Sequence, residues 1–145
     1  MKPPTTAAVR VAATDDEIRG CFSVMAELRP HLQADEFIAR IRRQEQEGYQ
    51  MAFLKSRGRV VSVAGYRILE CLMWGRFMYV DDLVTWSSAR SRGWGQKLFA
   101  WLLAEARREG CAEFHLDSGV HRYGAHRFYL GQRLDITCHH FALKL

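Results

Sequence analysis

Hydrophobic and polar positions change their period several times along this chain, and each change marks an element. Ala7 to Ala13 is short, apolar and β-leaning, interrupted by Arg10, and reads as a first strand. Thr14-Asp15-Asp16-Glu17 has the form of a capping box, with glutamate three residues after the threonine. Ile18, Phe22, Met25 and Leu28 continue at helical spacing until Arg29-Pro30, where proline disfavours a helical residue before it. A second helix is expected over residues 34–47. Phe37, Ile38 and Ile41 mark its buried side, Arg40, Arg42, Arg43, Gln44 and Glu45 its wet side, and Gly48 its stop.

Tyr49 to Lys55 and Arg59 to Leu69 then read as strands joined through Ser56-Arg57-Gly58, an antiparallel hairpin. Gly65 inside the second of them implies a bulge or a close backbone approach. After a turn over 71–75, Phe77 to Thr85 completes a meander. Its Asp81-Asp82 pair is out of keeping with a strand, because aspartate is a poor strand former and neighbouring side chains point to opposite faces. Two readings stand: a bulge or strand end with both carboxylates bonded to neighbouring backbone, or a site that handles a proton or a cationic group.

The next helix, Gly93 to Glu109, has a broad apolar face in Leu98, Phe99, Leu102, Leu103 and Ala106, with Trp101 near its edge. Arg107-Arg108 complements its C-terminal dipole and Gly110 closes it. Glu113 to Asp117 is a fifth strand, so strand, helix and strand imply a right-handed crossover with parallel pairing. Ala125 to Leu130 is a short helix, and residues 134–145 are expected to hold one or two final strands. An antiparallel first half and a parallel second half make a mixed α/β sheet in a single domain, 1–145. A ligand would sit where the sheet changes character.

Composition narrows the chemistry. The chain has 145 residues, a formal net charge of +5 and a pI near 9.3. The basic residues are scattered as Arg42-Arg43, Arg57 with Arg59, Arg90 with Arg92, and Arg107-Arg108. That is no stripe interleaved with aromatics, and it argues against a nucleic-acid surface. No apolar run is long enough to span a membrane, and the N-terminus lacks a signal-peptide core; the expected location is the cytoplasm. Cys21, Cys71, Cys111 and Cys138 are far apart and read as reduced, mostly buried residues. The histidines lack a metal-ligand spacing, so no metal is expected.

One stretch carries more chemistry than the rest. Arg90-Ser91-Arg92-Gly93-Trp94-Gly95 joins the Phe77–Thr85 strand to the long helix. Two glycines allow a tight bend and leave the backbone uncovered, and the helix start offers spare N–H donors at a positive dipole end. Together these make a backbone cradle for phosphate. An ordinary strand-to-helix loop with a basic flank explains the same residues.

Arg90-x-x-Gly93-x-Gly95, followed by Ala125-His126-Arg127-Phe128-Tyr129 in this order of elements, resembles the GNAT superfamily of acetyl-CoA-dependent N-acyltransferases. The first motif matches that family's pyrophosphate-binding pattern and the second its Ala-x-x-Phe-Tyr helix. The resemblance implies a GNAT-like fold over the whole domain and acetyl-CoA as co-substrate. Backbone amides from Ser91 to Gln96, flanked by Arg90, would hold the pyrophosphate. Leu83, Val84 and Thr85 would pair with the pantetheine arm like an added strand, and Phe128 would lie near the coenzyme. Tyr129 would protonate the departing thiolate; a thiol near ~8.5 and a phenol near ~10 are matched closely enough for that. Asp81 or Asp82 would take the proton of the amine or hold its cationic form, which suggests a small cationic amine, although a peptide acceptor stays open. The sequence departs from the family at Arg122, where asparagine is frequent, and at Arg133-Leu134, with Gly131 two residues earlier than the usual glycine. By this resemblance the last strand is either missing or supplied by a partner subunit, which would make a homodimer. A non-catalytic acyl-CoA-binding module of the same fold is the alternative.

Overall fold

A computed structural model describes residues 7–145. They form two compact units, one extending to His115 and the other Leu116–Leu145. The first holds a five-stranded sheet in the order β1-β2-β3-β4-β5, formed by β1 (Val9–Val11), β2 (Gln50–Ser56), β3 (Arg59–Cys71), β4 (Gly75–Thr85) and β5 (Glu113–Leu116). β1 to β4 pair antiparallel with their neighbours. β5 returns beside β4 through a helical crossover, so the sheet is mixed.

The helices start and stop where local chemistry directs. Thr14 caps α1 (Asp15–Leu28) with its side chain on the Glu17 amide, while Glu17 returns to the Thr14 amide, so the capping box is complete. α2 (Ala34–Glu45) ends slightly before the expected boundary. The β2–β3 hairpin turns on Arg57 (φ 51°) and Gly58 (φ 76°), two left-handed residues whose twist suits a two-residue connection.

Alternation along β2 and β3 divides the core into two layers. Met51, Phe53 and Val63 join Ile18, Cys21, Val24 and Met25 of α1 and Phe37 and Ile41 of α2 in one buried cluster. The intervening Ala52, Leu54 and Ala64 are equally buried and face the other way. That second face is covered by α3 (Trp94–Arg108) through Leu98, Phe99 and Leu102, and Trp101 meets Tyr66 edge to face at 6.0 Å.

The second unit consists of a loop, α4 (Tyr123–Gly131) and the stretch 132–145. The strands expected over 134–145 are not formed. Ile136, Phe141 and Leu143 are exposed. A strand needs a ladder partner to satisfy its backbone, and this unit supplies none beyond the single residue of β5 that it contains. Among the described residues no helix is long and apolar enough to cross a membrane.

Candidate active site

β4 carries the irregularity that builds the site. Opposite β3, Gly65 pairs with Asp82 but Tyr66 pairs with Val80, so Asp81 is the extra residue of a β-bulge. In an unbroken strand Asp81 and Asp82 would face opposite sides of the sheet. The bulge turns both toward α1 and α2, where they line a cavity of about 400 Å³ together with Arg29, Arg40, Tyr49 and Tyr79. Met25, Leu32, Phe37 and Ile41 supply its apolar wall. The bulge of the first sequence reading is present, but the carboxylates bond to side chains instead of neighbouring backbone, and they face a pocket.

Neither carboxylate stands alone. Asp82 accepts the Arg29 Nε–H on Oδ1 at 2.9 Å and the Tyr49 hydroxyl on Oδ2 at 2.9 Å. Arg29 also donates from Nη2 to the Asp81 carbonyl at 2.8 Å, which ties the bulge itself to the end of α1. Asp81 takes Arg67 Nε on both oxygens, at 3.0 and 3.2 Å, and Arg67 continues to Gln44 on α2 at 2.7 Å. Burial pushes the Asp81 carboxyl above its ordinary value; the Arg67 guanidinium pulls it down, and the neighbouring Asp82 adds to the rise. Burial, reinforced by the Asp82 charge, holds the Tyr49 phenol well above its ordinary value, so it remains a donor.

Tyr49 reaches Asp82 because position 65 is glycine. A Cβ there would collide with the Tyr49 ring and hydroxyl. Of the two expectations at Gly65, the bulge is found directly opposite it, and the group that approaches its backbone closely is the Tyr49 side chain.

Past the bulge, Leu83, Val84 and Thr85 pair with Ala64, Val63 and Ser62 of β3. On the other edge, β5 begins where the Ala112 amide donates to the Arg76 carbonyl at 2.7 Å, and it is four residues long. At parallel pitch it reaches only about Val80, so no strand pairs with the second edge of Leu83–Thr85 among the described residues.

The chain then turns through a short 3₁₀ helix, Ser87–Ala89, into the Arg90–Gly95 segment. Ser91 (φ 61°) and Gly93 (φ 83°) are both left-handed, and alternation of this kind turns successive N–H groups to one side. Gly93 is the N-cap of α3 and has no side chain to cap with; the first bond of the helix is Lys97 N–H to the Gly93 carbonyl. The amides of Trp94, Gly95 and Gln96 therefore lack a carbonyl one turn back. A Cβ on Gly95 would press against the Thr85 hydroxyl at 3.2 Å, so glycine lets the helix start sit tightly on β4. These donors, with no acidic residue in the first turn of α3, suit a diphosphate.

Sequence reasoning did not find what holds this turn in place. Glu27 on α1 accepts the Ser87 amide at 2.9 Å and its hydroxyl at 3.1 Å, and it lies 3.7 Å from Arg90. Arg90 Nε donates to the Thr85 carbonyl at 3.2 Å, and Arg59 stacks 3.7 Å over the Trp86 ring. Nor were Arg29, Tyr49 and Arg67 found; Gly65 was the one signal pointing toward Tyr49.

In the second unit Phe128 and Tyr129 stand together on α4, ring centroids 5.6 Å apart. Burial raises the Tyr129 phenol, and Arg122 opposes that rise. His126 Nε2 lies 2.7 Å from the Gly119 carbonyl, a contact that accounts for it as a loop brace. Among the described residues no group of three or more His, Cys, Asp or Glu converges on a point where a metal would bind.

The site thus combines a bulged inner strand, β4, with the glycine-turned, uncapped start of α3. The family model described as "Acetyltransferase (GNAT) family" matches residues 11–133, and the chain belongs to that family. It is an acetyltransferase. A curated relative, "Uncharacterized N-acetyltransferase YhdJ" of Bacillus subtilis (strain 168), is 29% identical over 109 residues, covering 74% of this chain and 77% of its own. Among solved structures, a putative acetyltransferase from Agrobacterium tumefaciens str. C58 superposes with a TM-score of 0.82 at 22% identity, over 95% of this chain and 99% of its own. AAC(6')-Iy, solved with the bisubstrate analog CoA-S-monomethyl-acetylneamine, gives a TM-score of 0.82 at 13% identity, over 97% and 99% of the two chains. Identities this low relate the folds alone.

Proposed function

We propose that this protein transfers the acetyl group of acetyl-CoA to the nitrogen of a primary amine by direct attack in a ternary complex. The observation that carries this reading is the continuity of β4: the bulge at Asp81, the half-open segment Leu83–Thr85 and the uncapped start of α3 follow one another along one piece of chain. The amides of the Ser91–Gln96 turn hold the pyrophosphate, and the free edge of Leu83–Thr85 takes the pantetheine arm. An amide of that edge donates to the thioester carbonyl as negative charge develops on it.

The amine nitrogen forms the new C–N bond while the C–S bond breaks. Of the two aspartates we assign proton acceptance to Asp81, through a water. Its carboxyl is raised by burial, which narrows the gap to an ammonium group, and one guanidinium nitrogen holds it. Asp82 has Arg29 and Tyr49 on separate oxygens and keeps the bulge in shape. Tyr129 donates its proton to the departing thiolate, and Phe128 packs near the coenzyme; both roles rest on the Ala125–Tyr129 motif. The relative bound to the CoA bisubstrate analog supports the choice of donor.

The test is free-thiol release from acetyl-CoA across a panel of amines and peptides. Release with at least one acceptor, with an N-acetyl product confirmed by mass, is the expected result. Coenzyme binding without release from any acceptor would replace this reading with a non-catalytic acyl-CoA-binding module.

A further inference from the structure

Among the arginines and aspartates that line the β4 cavity, Arg40 is the one without a partner. Asp81 and Asp82 are each answered by a guanidinium, Arg67 and Arg29 respectively. Arg67 lies outside the cavity lining and also faces Glu47 at 4.0 Å, whereas Arg40 lines the cavity beside Arg29. Arg40 projects from the face of α2 that presents Phe37, Ile41 and Gln44, because residues three and four apart share a helix face. Arg40 is partly buried and makes no hydrogen bond or ion pair among the described residues. Of the other polar groups around it, Gln44 is occupied by Arg67.

We infer that the acceptor carries an anionic acid group, carboxylate or phosphate, beside its amine, and that Arg40 binds this acid. The inference rests on the amine-acetylation reading and names the substrate class within it. A guanidinium is a planar fork of donors that fits either oxyanion in a bidentate way, and its contacts are strongest where water is partly excluded. A purely cationic amine entering the cavity would leave Arg40 without a partner. An amino acid or aminoalkyl phosphate would pair its acid with Arg40, and its ammonium would lie toward the aspartates. The cavity volume of about 400 Å³ suits a small acceptor, and Leu32, Phe37 and Ile41 give its carbon skeleton an apolar wall.

The experiment compares matched acceptors in the thiol-release assay: amino carboxylates and aminoalkyl phosphonates of several lengths, each against its neutral carboxamide or alkylamine counterpart. The expected result is that at least one acid acceptor exceeds its neutral counterpart by about tenfold or more in kcat/KM, the scale of one charge-assisted contact. Arg40→Gln should bring that ratio close to one, mainly through KM, and Arg40→Lys should keep part of it. Equal use of acid and neutral acceptors, or a preference that survives Arg40→Gln, would overturn the inference while leaving amine acetylation standing. Should no acceptor release thiol, the transfer reading fails, and calorimetric titration with the same pairs decides the acid site. Acid-selective binding lost in Arg40→Gln supports it, and absence of selective binding overturns it.

Discussion

Tyr49 lies directly over Gly65, and the missing side chain at position 65 is what allows the Tyr49 hydroxyl to reach Asp82 Oδ2 at 2.9 Å. Gly65 is also the β3 partner of Asp82, at the register shift that puts Asp81 in a bulge. One absent Cβ therefore supports both the shape of the acidic pair and its hydrogen bonding.

Gly65→Ala should displace the Tyr49 ring and lower stability by roughly 1–3 kcal/mol, the usual cost of overpacking. In a Tyr49→Leu background the same change should cost much less, because the group it strikes is gone. Denaturant melts of the four proteins in this cycle measure the coupling; additive losses would mean that Tyr49 is not what position 65 accommodates.

Gly95→Asp should abolish acetyl-CoA binding. It adds a carboxylate beside the uncapped amides and a Cβ against Thr85. Calorimetry with coenzyme A, alongside a thermal melt to establish that the variant is folded, provides the check. Normal affinity would remove the Arg90–Gly95 turn from coenzyme binding.

Glu27→Gln tests whether the turn must be held. Glu27 bonds Ser87 and faces Arg90 from α1. Its neutral amide should weaken coenzyme A affinity several-fold with a small change in melting temperature, since a partly exposed ion pair contributes only about 0–1 kcal/mol. No change in affinity would make Glu27 a surface brace.

Tyr129→Phe should lower kcat by roughly 100-fold, the lower range for a positioned general acid, with coenzyme affinity retained. Stopped-flow thiol release and direct binding separate the two effects. An unchanged kcat would take Tyr129 out of the chemistry.

Asp81 gives a signed pH dependence. Its folded value is raised above the ordinary 3.8, mainly by burial. A raised carboxyl contributes stability that is full below the unfolded value and lost as pH rises through the folded one. Asp81→Asn cannot titrate, so the wild type should lose stability relative to it as pH climbs through that window. kcat/KM of the wild type should rise over the same window as the carboxylate forms. Urea melts and rates between about pH 4 and 7 record both; a flat stability difference would contradict the burial of this carboxyl.

Much of the fold was legible because it is written in local chemistry. The Thr14–Glu17 capping box, the Arg57-Gly58 turn, the apolar face of α3 and the glycine-bearing turn before it each act within a few residues, and all stand where the pattern put them. The strands expected over 134–145 were not legible in the same way. Their apolar residues fit a strand, but a strand forms only when another chain segment offers its backbone, and pattern alone does not say whether one does.

The candidate site divides along the same line. The sequence by itself determined the motif residues: Arg90 to Gly95, Phe128 and Tyr129, and the anomaly at Asp81-Asp82. Only the tertiary structure decided that the two aspartates face one cavity, that Arg29 and Arg67 neutralise them, that Tyr49 reaches over Gly65, and that Arg40 is left over. Arg29 and Asp82 are 53 positions apart, and Tyr49 and Asp82 33. No periodicity or capping rule couples residues at such separations. Their partnership follows from a bulge that reverses one side chain and from two helices laid across the same face of the sheet.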